Sequence, residues 1–183
     1  ELLHTSGDEQ VAKLIRLIPE YIFAMQDQPI ERTVFDLLIN KGMTIASAES
    51  CTGGNIAHVI TLIPGSSEVF KGAAVTYATP MKTKVFGVPA ETIEKHGVVS
   101  QQVVESMATG VRDLMEADFG VATTGIAGPS GGTEENPVGT VWIGVASKQG
   151  VVSKRFNCGK DRENVINRAT IAAYEMLRQE LVR

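Results

Sequence analysis

Apolar and polar positions follow helical spacing over the first forty residues of the chain. One such pattern ends before Pro19, and a second one ends before Gly42. The polar stretch 26–29 between them has the composition of a linker. We therefore expect a helical connector over residues 1–29, followed by one compact domain over residues 30–183.

Beyond Gly42, short apolar runs that are typical of strands alternate with helical patterns. The expected strands are 44–48, 72–77 and 119–124, with a hairpin formed by 140–146 and 151–158. The expected helices are 56–63, 81–86, 91–96, 100–115 and a final one from Asp161. This order predicts an α/β fold: a three-layer α/β/α domain with a mixed sheet, preceded by the N-terminal helical connector.

Composition narrows the class of protein. Hydrophobic residues make up 43% of the 183 residues and aromatic residues only 5%, so we expect an aliphatic core. A net charge of −4 argues against nucleic acid as a partner, and no apolar run approaches the ~18 residues of a membrane span. The two cysteines, Cys51 and Cys158, are too few to staple the domain and favour a reducing, cytoplasmic location.

The segment AESCTGG, residues 48–54, lies where a strand is expected to end and a helix to begin, a usual ligand position in open α/β sheets. Ser50 and Cys51 are both candidate nucleophiles, but neighbouring strand residues point to opposite faces. Unpaired N–H groups near Gly53-Gly54 are suited to hold an oxyanion. The same residues would also form an ordinary turn capped by Ser50 or Thr52.

A nucleophile of this kind needs a base, and none of the three histidines has the sequence context of a triad base. Lys82 and Lys84, which follow the strand expected at 72–77, are the leading candidates. A lysine base requires desolvation or a cationic neighbour to bring its pKa from about 10.4 to about 7–8. On the residue pattern alone, either lysine also fits an ordinary surface position.

Two later segments have features of binding loops. The glycine-rich stretch 125–139 has no room for regular structure, and loops of this length within compact domains are often functional. Its Glu134 and Glu135 have no His or Cys nearby in sequence, so no metal is expected. The start of the last helix, with Arg162 there and Arg168 beyond, suits a phosphate, although the residues alone favour an ordinary Asp161 cap with a solvated Arg162.

Five motifs in series resemble one family. They are AESCTGG (48–54), TY (76–77) with Lys82, GIAGP (125–129), PVGTV (137–141) and GKDR (159–162). Over residues 30–183 they resemble the C-terminal domain of the competence/damage-inducible protein CinA, which also occurs alone as a nicotinamide-mononucleotide amidohydrolase. The resemblance implies an amidase that converts nicotinamide mononucleotide to nicotinate mononucleotide and ammonia, without a cofactor, in pyridine-nucleotide salvage. In many members a molybdopterin-binding-like domain comes first, and residues 1–29 resemble the connector, so a longer native chain is expected.

The resemblance also implies roles for individual residues. Ser50 would be the nucleophile, Lys82 its general base, and Tyr77 would line or orient the pair. Thr124, in preference to Thr123, would complete the catalytic group. The implied substrate-binding residues are Thr52, Gly53, Gly54, Gly125, Arg162 and Arg168.

Two other functions remain open at this stage. The glycine loops would equally serve a regulatory module that binds a nucleotide without turnover. Alternatively, Cys51 would act as the nucleophile of a thiol amidase. In each case the expected partner is a small pyridine nucleotide or similar molecule, and the exposed hairpin strand or the helices favour a homodimer.

Overall fold

The computed structural model describes residues 2–18 and 27–183. The strands are β1 (Ile45–Glu49), β2 (Phe70–Val75), β3 (Phe119–Gly125), β4 (Thr140–Ser147) and β5 (Gly150–Asn157). The helices are α1 (Leu2–Leu17), α2 (Ile30–Lys41), α3 (Asn55–Thr61), α4 (Thr79–Phe86), α5 (Ala90–His96), α6 (Gln101–Leu114) and α7 (Arg162–Val182). A short 3-10 turn covers Ser66–Glu68.

The five strands form one mixed sheet in the order β2-β1-β3-β4-β5. Strands β2 and β3 run parallel to β1 on its two sides, whereas β4 and β5 continue the sheet as an antiparallel hairpin. The carboxyl ends of β1, β2 and β3 therefore meet at one edge of the sheet. This arrangement confirms the predicted mixed sheet and its late hairpin.

Helices cover both faces of the sheet, and each face has its own apolar cluster. One cluster joins α2, α3 and α7 to the sheet and includes Ile45 and Val121. The other joins the α4–α6 side to the opposite face and includes Ala46, Ala48 and Ala122. The prediction of a three-layer α/β/α fold is confirmed, and the small alanines on the second face allow α6 to pack closely on β1 and β3.

Two helix ends follow the usual local sequence signals, and the start of α6 does not. Helix α2 ends at Gly42, which adopts the left-handed conformation at φ 60, and Asp161 caps α7 by accepting from the N–H of Asn164. Ser100 occupies the cap position of α6, but its hydroxyl donates to the carbonyl of Gly97 at 2.8 Å. A serine at this position usually caps a helix, but here Ser100 gives α6 no side-chain cap and instead stabilises the preceding turn.

The predicted connector falls partly outside the described residues. Helix α1 agrees with the first helical pattern, whereas the linker expected at 26–29 is described only from residue 27. The boundary between residues 29 and 30 remains a prediction. Within the described ranges, not even the 21-residue α7 is apolar enough to cross a membrane.

Candidate active site

A cleft of about 170 Å³ opens at the edge of the sheet where the parallel strands end. This is the position at which open α/β sheets usually bind ligands. Its lining comes from the turns after β1 and β2, helix α4, the α5–α6 loop and the end of β3. The lining residues are Ser50, Cys51, Tyr77, Thr79, Lys82, Val98, Val99, Thr124, Gly125 and Ala127.

The alternation along β1 decides which candidate nucleophile faces this cleft. Ala46 and Ala48 pack in the α6-side cluster, so Ser50, two residues further on, lies on the same face. Cys51 contributes to the cleft wall, but it is buried in the cluster of α2, α3 and α7. Burial raises the pKa of its thiol to about 12, so Cys51 stays protonated and is a poor nucleophile.

Lys82 lies beside Ser50. Its Nζ is 3.1 Å from Oγ of Ser50 and donates to the carbonyl oxygen of Thr76 at 2.7 Å. Only 1% of Lys82 is exposed, and this burial lowers the pKa of the ammonium below its usual value because a charge is disfavoured away from water. Lys84 is two positions further along α4 and is exposed. The structure therefore places Lys82, and not Lys84, at the candidate nucleophile.

Tyr77 lies at the mouth of the cleft and remains 61% exposed. Its hydroxyl accepts a hydrogen bond from Arg162 at 2.6 Å, and the other guanidinium nitrogen of Arg162 donates to the carbonyl of Gly128 at 2.6 Å. This contact joins the turn after β2 to the start of α7 across the mouth. Tyr77 thus lines the cleft as expected, but its hydroxyl is bonded to Arg162 rather than to Ser50 or Lys82.

A second cleft of about 400 Å³ adjoins the first and shares part of its wall, including Tyr77 and Ala127. The loop predicted to bind a ligand forms its other side. Polar groups along this cleft come from Ser130, Thr133, Asn136 and Arg162. Together the two clefts offer a smaller compartment beside Ser50 and a larger one beside it, to which the glycine-rich loop contributes polar groups.

Thr124 and Thr123 point to opposite faces of β3. Thr124 lines the narrow cleft, and its hydroxyl donates to the carbonyl of Val98 at 2.8 Å. Thr123 lies within hydrogen-bond distance of the Thr52 hydroxyl at 2.9 Å, on the α3 side. Of the two, Thr124 is therefore the one at the cleft, where it ties the α5–α6 loop to the sheet.

The structure corrects the expectation that N–H groups at the start of α3 are free to hold an oxyanion. The fully buried carboxylate of Glu49 accepts from the backbone N–H groups of Gly54, Ile56 and Ala57 at 2.9, 3.1 and 2.9 Å. It also accepts from the hydroxyls of Thr52 and Ser47. The N–H groups of Gly53 and Asn55 donate to carbonyl oxygens within the same turn.

These groups are satisfied inside the protein, so the start of α3 is closed to a substrate. Thr52, Gly53 and Gly54 hold the turn that carries Ser50, and they do not line either cleft. Sequence reasoning missed Glu49 as the centre of this turn. The available signal was an acidic residue at the end of an otherwise uncharged buried strand, a few positions before a helix.

Arg168 also lies away from the clefts, contrary to expectation. It lines a groove between α7 and β5 with Lys154 and Phe156, and one guanidinium nitrogen is 3.5 Å from the carbonyl of Cys158. The reason is helical geometry, because six positions along α7 rotate a side chain by about 240° from Arg162. Of the two predicted phosphate ligands, only Arg162 reaches the wider cleft.

The chain matches a known protein family and is similar to known proteins of that family. The family model described as the CinA C-terminal domain matches residues 27–181. A CinA-like protein of Fervidobacterium nodosum is 42% identical over 96% of this chain and 43% of its own length. A CinA-like protein of Flavobacterium psychrophilum is 46% identical over 95% of this chain and 42% of its own length. The chain thus spans less than half the length of these relatives.

Solved structures agree with the family match. The competence/damage inducible protein CihA of Agrobacterium tumefaciens superposes with a TM-score of 0.81 at 37% identity, covering 84% of this chain and 94% of that one. The competence damage-inducible protein A (ComA) of Klebsiella pneumoniae gives a TM-score of 0.80 at 31% identity, covering 85% and 99%. The similarity therefore includes nearly the whole of each solved domain.

Proposed function

Because this chain belongs to the CinA C-terminal domain family, we propose that it hydrolyses the carboxamide of nicotinamide mononucleotide, giving nicotinate mononucleotide and ammonia. The observation that carries the proposal is the 3.1 Å contact between Nζ of Lys82 and Oγ of Ser50 in a cleft. A hydroxyl beside a buried amine is suited to nucleophilic attack on an amide.

The first step uses the neutral form of Lys82. Burial lowers its pKa, which increases the fraction of amine that carries a free lone pair near neutral pH. This amine takes the proton of the Ser50 hydroxyl while Oγ forms a bond to the carboxamide carbon. The positive charge that Lys82 gains lies next to the developing oxyanion and stabilises it.

The second step returns that proton. The tetrahedral intermediate collapses, the bond from carbon to nitrogen breaks, and the Lys82 ammonium protonates the departing nitrogen, so that ammonia leaves. The product of this step is an ester of Ser50. Water then attacks the ester carbon with Lys82 again accepting a proton, and Ser50 regains its hydrogen as the carboxylate is released.

The two clefts differ in size and in the groups they offer to a substrate. The carboxamide end of the nicotinamide ring suits the smaller cleft, which holds Ser50 and Lys82. The ribose and phosphate suit the wider cleft, where Ser130, Thr133, Asn136 and Arg162 supply donors. Arg162 would exchange its bonds to Tyr77 and Gly128 for bonds to the phosphate.

Ammonia release tests the proposal. We expect the purified chain to release ammonia and nicotinate mononucleotide in equal amounts, and Ser50→Ala to abolish release because the attacking oxygen is gone. Cys51→Ala is the matched control, since its thiol is protonated and packed in the core, and it should retain activity.

Two outcomes would contradict the proposal. Loss of activity in Cys51→Ala with activity retained in Ser50→Ala would assign the reaction to the thiol. If calorimetry shows that the wild-type chain binds nicotinamide mononucleotide but no ammonia appears, the domain is a binding module and the hydrolase assignment fails.

A further inference from the structure

The glycine-rich loop beside the wider cleft is held separately at its stem and at its tip. At the stem, the N–H of Ile126 donates to the carbonyl of Thr140 at 2.9 Å, and the N–H of Gly139 donates to the carbonyl of Ile126 at 2.8 Å. The tip comprises residues 130–136. Among the residues that the structure describes, the one side chain from outside the loop that hydrogen-bonds this tip is Arg155 of β5.

The sheet register explains how Arg155 reaches the loop. Strand β5 runs antiparallel to β4, the strand that follows the loop, and it pairs Asn157 with Thr140 and Arg155 with Trp142. Phe156 packs against the cluster of α2, α3 and α7, so alternation places Arg155 on the opposite face of the sheet. Arg155 lines neither of the two clefts at the candidate active site. It therefore supports the loop from outside the space that a substrate would occupy.

The contacts of Arg155 determine how the Asn136 amide is oriented. One nitrogen of the guanidinium, Nη2, donates to the carbonyl of Glu135 at 2.5 Å and to Oδ1 of Asn136 at 3.4 Å. A guanidinium has donors and no acceptor, so the end of the amide that faces it has to be the oxygen. The NH₂ group is the other end of the same planar amide and is directed away from Arg155. Because Asn136 lines the wider cleft, its NH₂ group is available there as a donor.

Thr133 offers a second donor from the same tip. The N–H of Asn136 donates to Oγ1 of Thr133 at 3.0 Å, and the N–H of Thr133 donates to the carbonyl of Asn136 at 2.9 Å. The hydroxyl oxygen of Thr133 thus accepts a hydrogen bond within the tip, and its hydrogen remains free to donate. Thr133 also lines the wider cleft. The tip therefore presents two neighbouring hydrogen-bond donors to this cleft.

The charge around the wider cleft suits an anion. Among the described residues that line it, Arg162 is the only charged one, and no carboxylate lines it. Glu134 and Glu135 belong to the same loop tip, but they lie outside the cleft lining. An ionised phosphate presents only acceptor oxygens, and it binds best where a cation and several donors meet. The tip donors and Arg162 together have the chemistry of a phosphate site.

We propose that Arg155 is a positioning residue that orients Asn136 so that its NH₂ group donates to the phosphate of the substrate, beside the hydroxyl of Thr133. The proposal rests on the proposed function and deepens it by assigning the support of the phosphate to a residue outside both clefts. Arg155 acts through Asn136 and does not touch the substrate. Without Arg155 the amide is free to turn its oxygen toward the phosphate, and two acceptors then face each other.

Kinetics with two substrates test the proposal. Arg155→Met should raise KM for nicotinamide mononucleotide about tenfold with kcat unchanged, because a hydrogen bond to the phosphate is lost while the groups around Ser50 are untouched. With nicotinamide riboside, the same molecule without the phosphate, kcat/KM should stay unchanged. Lys154→Met is the matched control, since it removes the same charge at the next position of β5, where the ammonium contacts the ring of Phe156. It should change neither substrate's kinetics.

A double variant tests whether Arg155 acts through Asn136. Asn136→Ala should by itself raise KM for nicotinamide mononucleotide about tenfold. Adding Arg155→Met should then raise KM by less than about twofold, because the amide that Arg155 orients is already gone. Increases that multiply to about a hundredfold in the double variant would overturn the proposal, and so would an equal loss of kcat/KM with the two substrates. Thermal unfolding checks that each variant is folded.

The outcomes separate this proposal from the proposed function. An unchanged KM in Arg155→Met overturns the role of Arg155, even if the chain is an active amidase. If the wild type releases no ammonia, the amidase function fails, and Kd for nicotinamide mononucleotide from calorimetry replaces KM. Binding about tenfold weaker in Arg155→Met would then still support the role of Arg155, whereas an unchanged Kd would overturn it. A wild-type chain that neither hydrolyses nor binds this nucleotide overturns both proposals.

Discussion

Glu49 and Lys82 are two ionisable side chains buried on opposite sides of the same strand ending, and their surroundings differ. The Glu49 carboxylate accepts five hydrogen bonds, three of them from backbone N–H groups. Lys82 has two hydrogen-bond partners, and one of them is the hydroxyl of Ser50. The carboxylate is thus engaged by many donors within the protein, whereas an amine with few partners is freer to exchange a proton.

The difference assigns separate tasks to the two groups. Glu49 fixes the turn between β1 and α3 and thereby the position of Ser50. Burial lowers the pKa of Lys82, and in the proposed reaction Lys82 is the group whose protonation state changes. Two buried groups therefore contribute to one site: Glu49 holds its geometry, and we propose that Lys82 supplies its reactivity.

The largest effect should come from removing the amine. Lys82→Met keeps an unbranched side chain of similar shape against α6, but it removes the base, so amidase activity should fall by about 10²–10⁴-fold. The protein should remain folded, because the change replaces a buried amine with an apolar group. Ammonia release and thermal unfolding measure the two quantities.

Lys84→Met is the matched control on the same helix, and it should retain most of the activity because Lys84 is exposed. The reverse pattern, with Lys84→Met inactive and Lys82→Met active, would exclude Lys82 as the base. The proposed division of tasks between Glu49 and Lys82 would then be wrong.

A smaller but distinct effect should come from Glu49→Gln. The amide retains one acceptor oxygen and turns an NH₂ group toward backbone N–H donors, so the turn loses several hydrogen bonds. We expect the free energy of unfolding to fall by about 3 kcal/mol, measured by urea denaturation. Glu94→Gln on the exposed part of α5 should leave it unchanged. A stable Glu49→Gln protein would show that the carboxylate is not what holds the turn.

Much of the fold was predictable from the sequence, for physical reasons. The buried run of β1, the helical spacing before Gly42 and the hairpin around residue 150 each have a strong local pattern. Helix ends were less predictable, as Ser100 shows, because a hydroxyl can bond backward to Gly97 as easily as forward into the helix.

The site was predictable only in part. The structure brings Ser50, Lys82, Tyr77, Thr124 and Gly125 to one cleft. Their roles in catalysis remain predictions, as do the homodimer and the domain boundary. The role of Glu49 in the turn and the position of Arg168 away from the clefts depend on contacts between residues that are distant in sequence or on different faces of α7. The linear sequence does not show those contacts.

The pH dependence of kcat/KM, compared with the titration of Lys82 in the free protein, tests the central claim most directly. Burial lowers the pKa of Lys82, and only the neutral amine accepts the Ser50 proton. The rate should therefore rise with pH through one ionisation and level off above it, at the pH where NMR shows Lys82 losing its proton. A rate that stays constant while Lys82 titrates would contradict the assignment of Lys82 as the base.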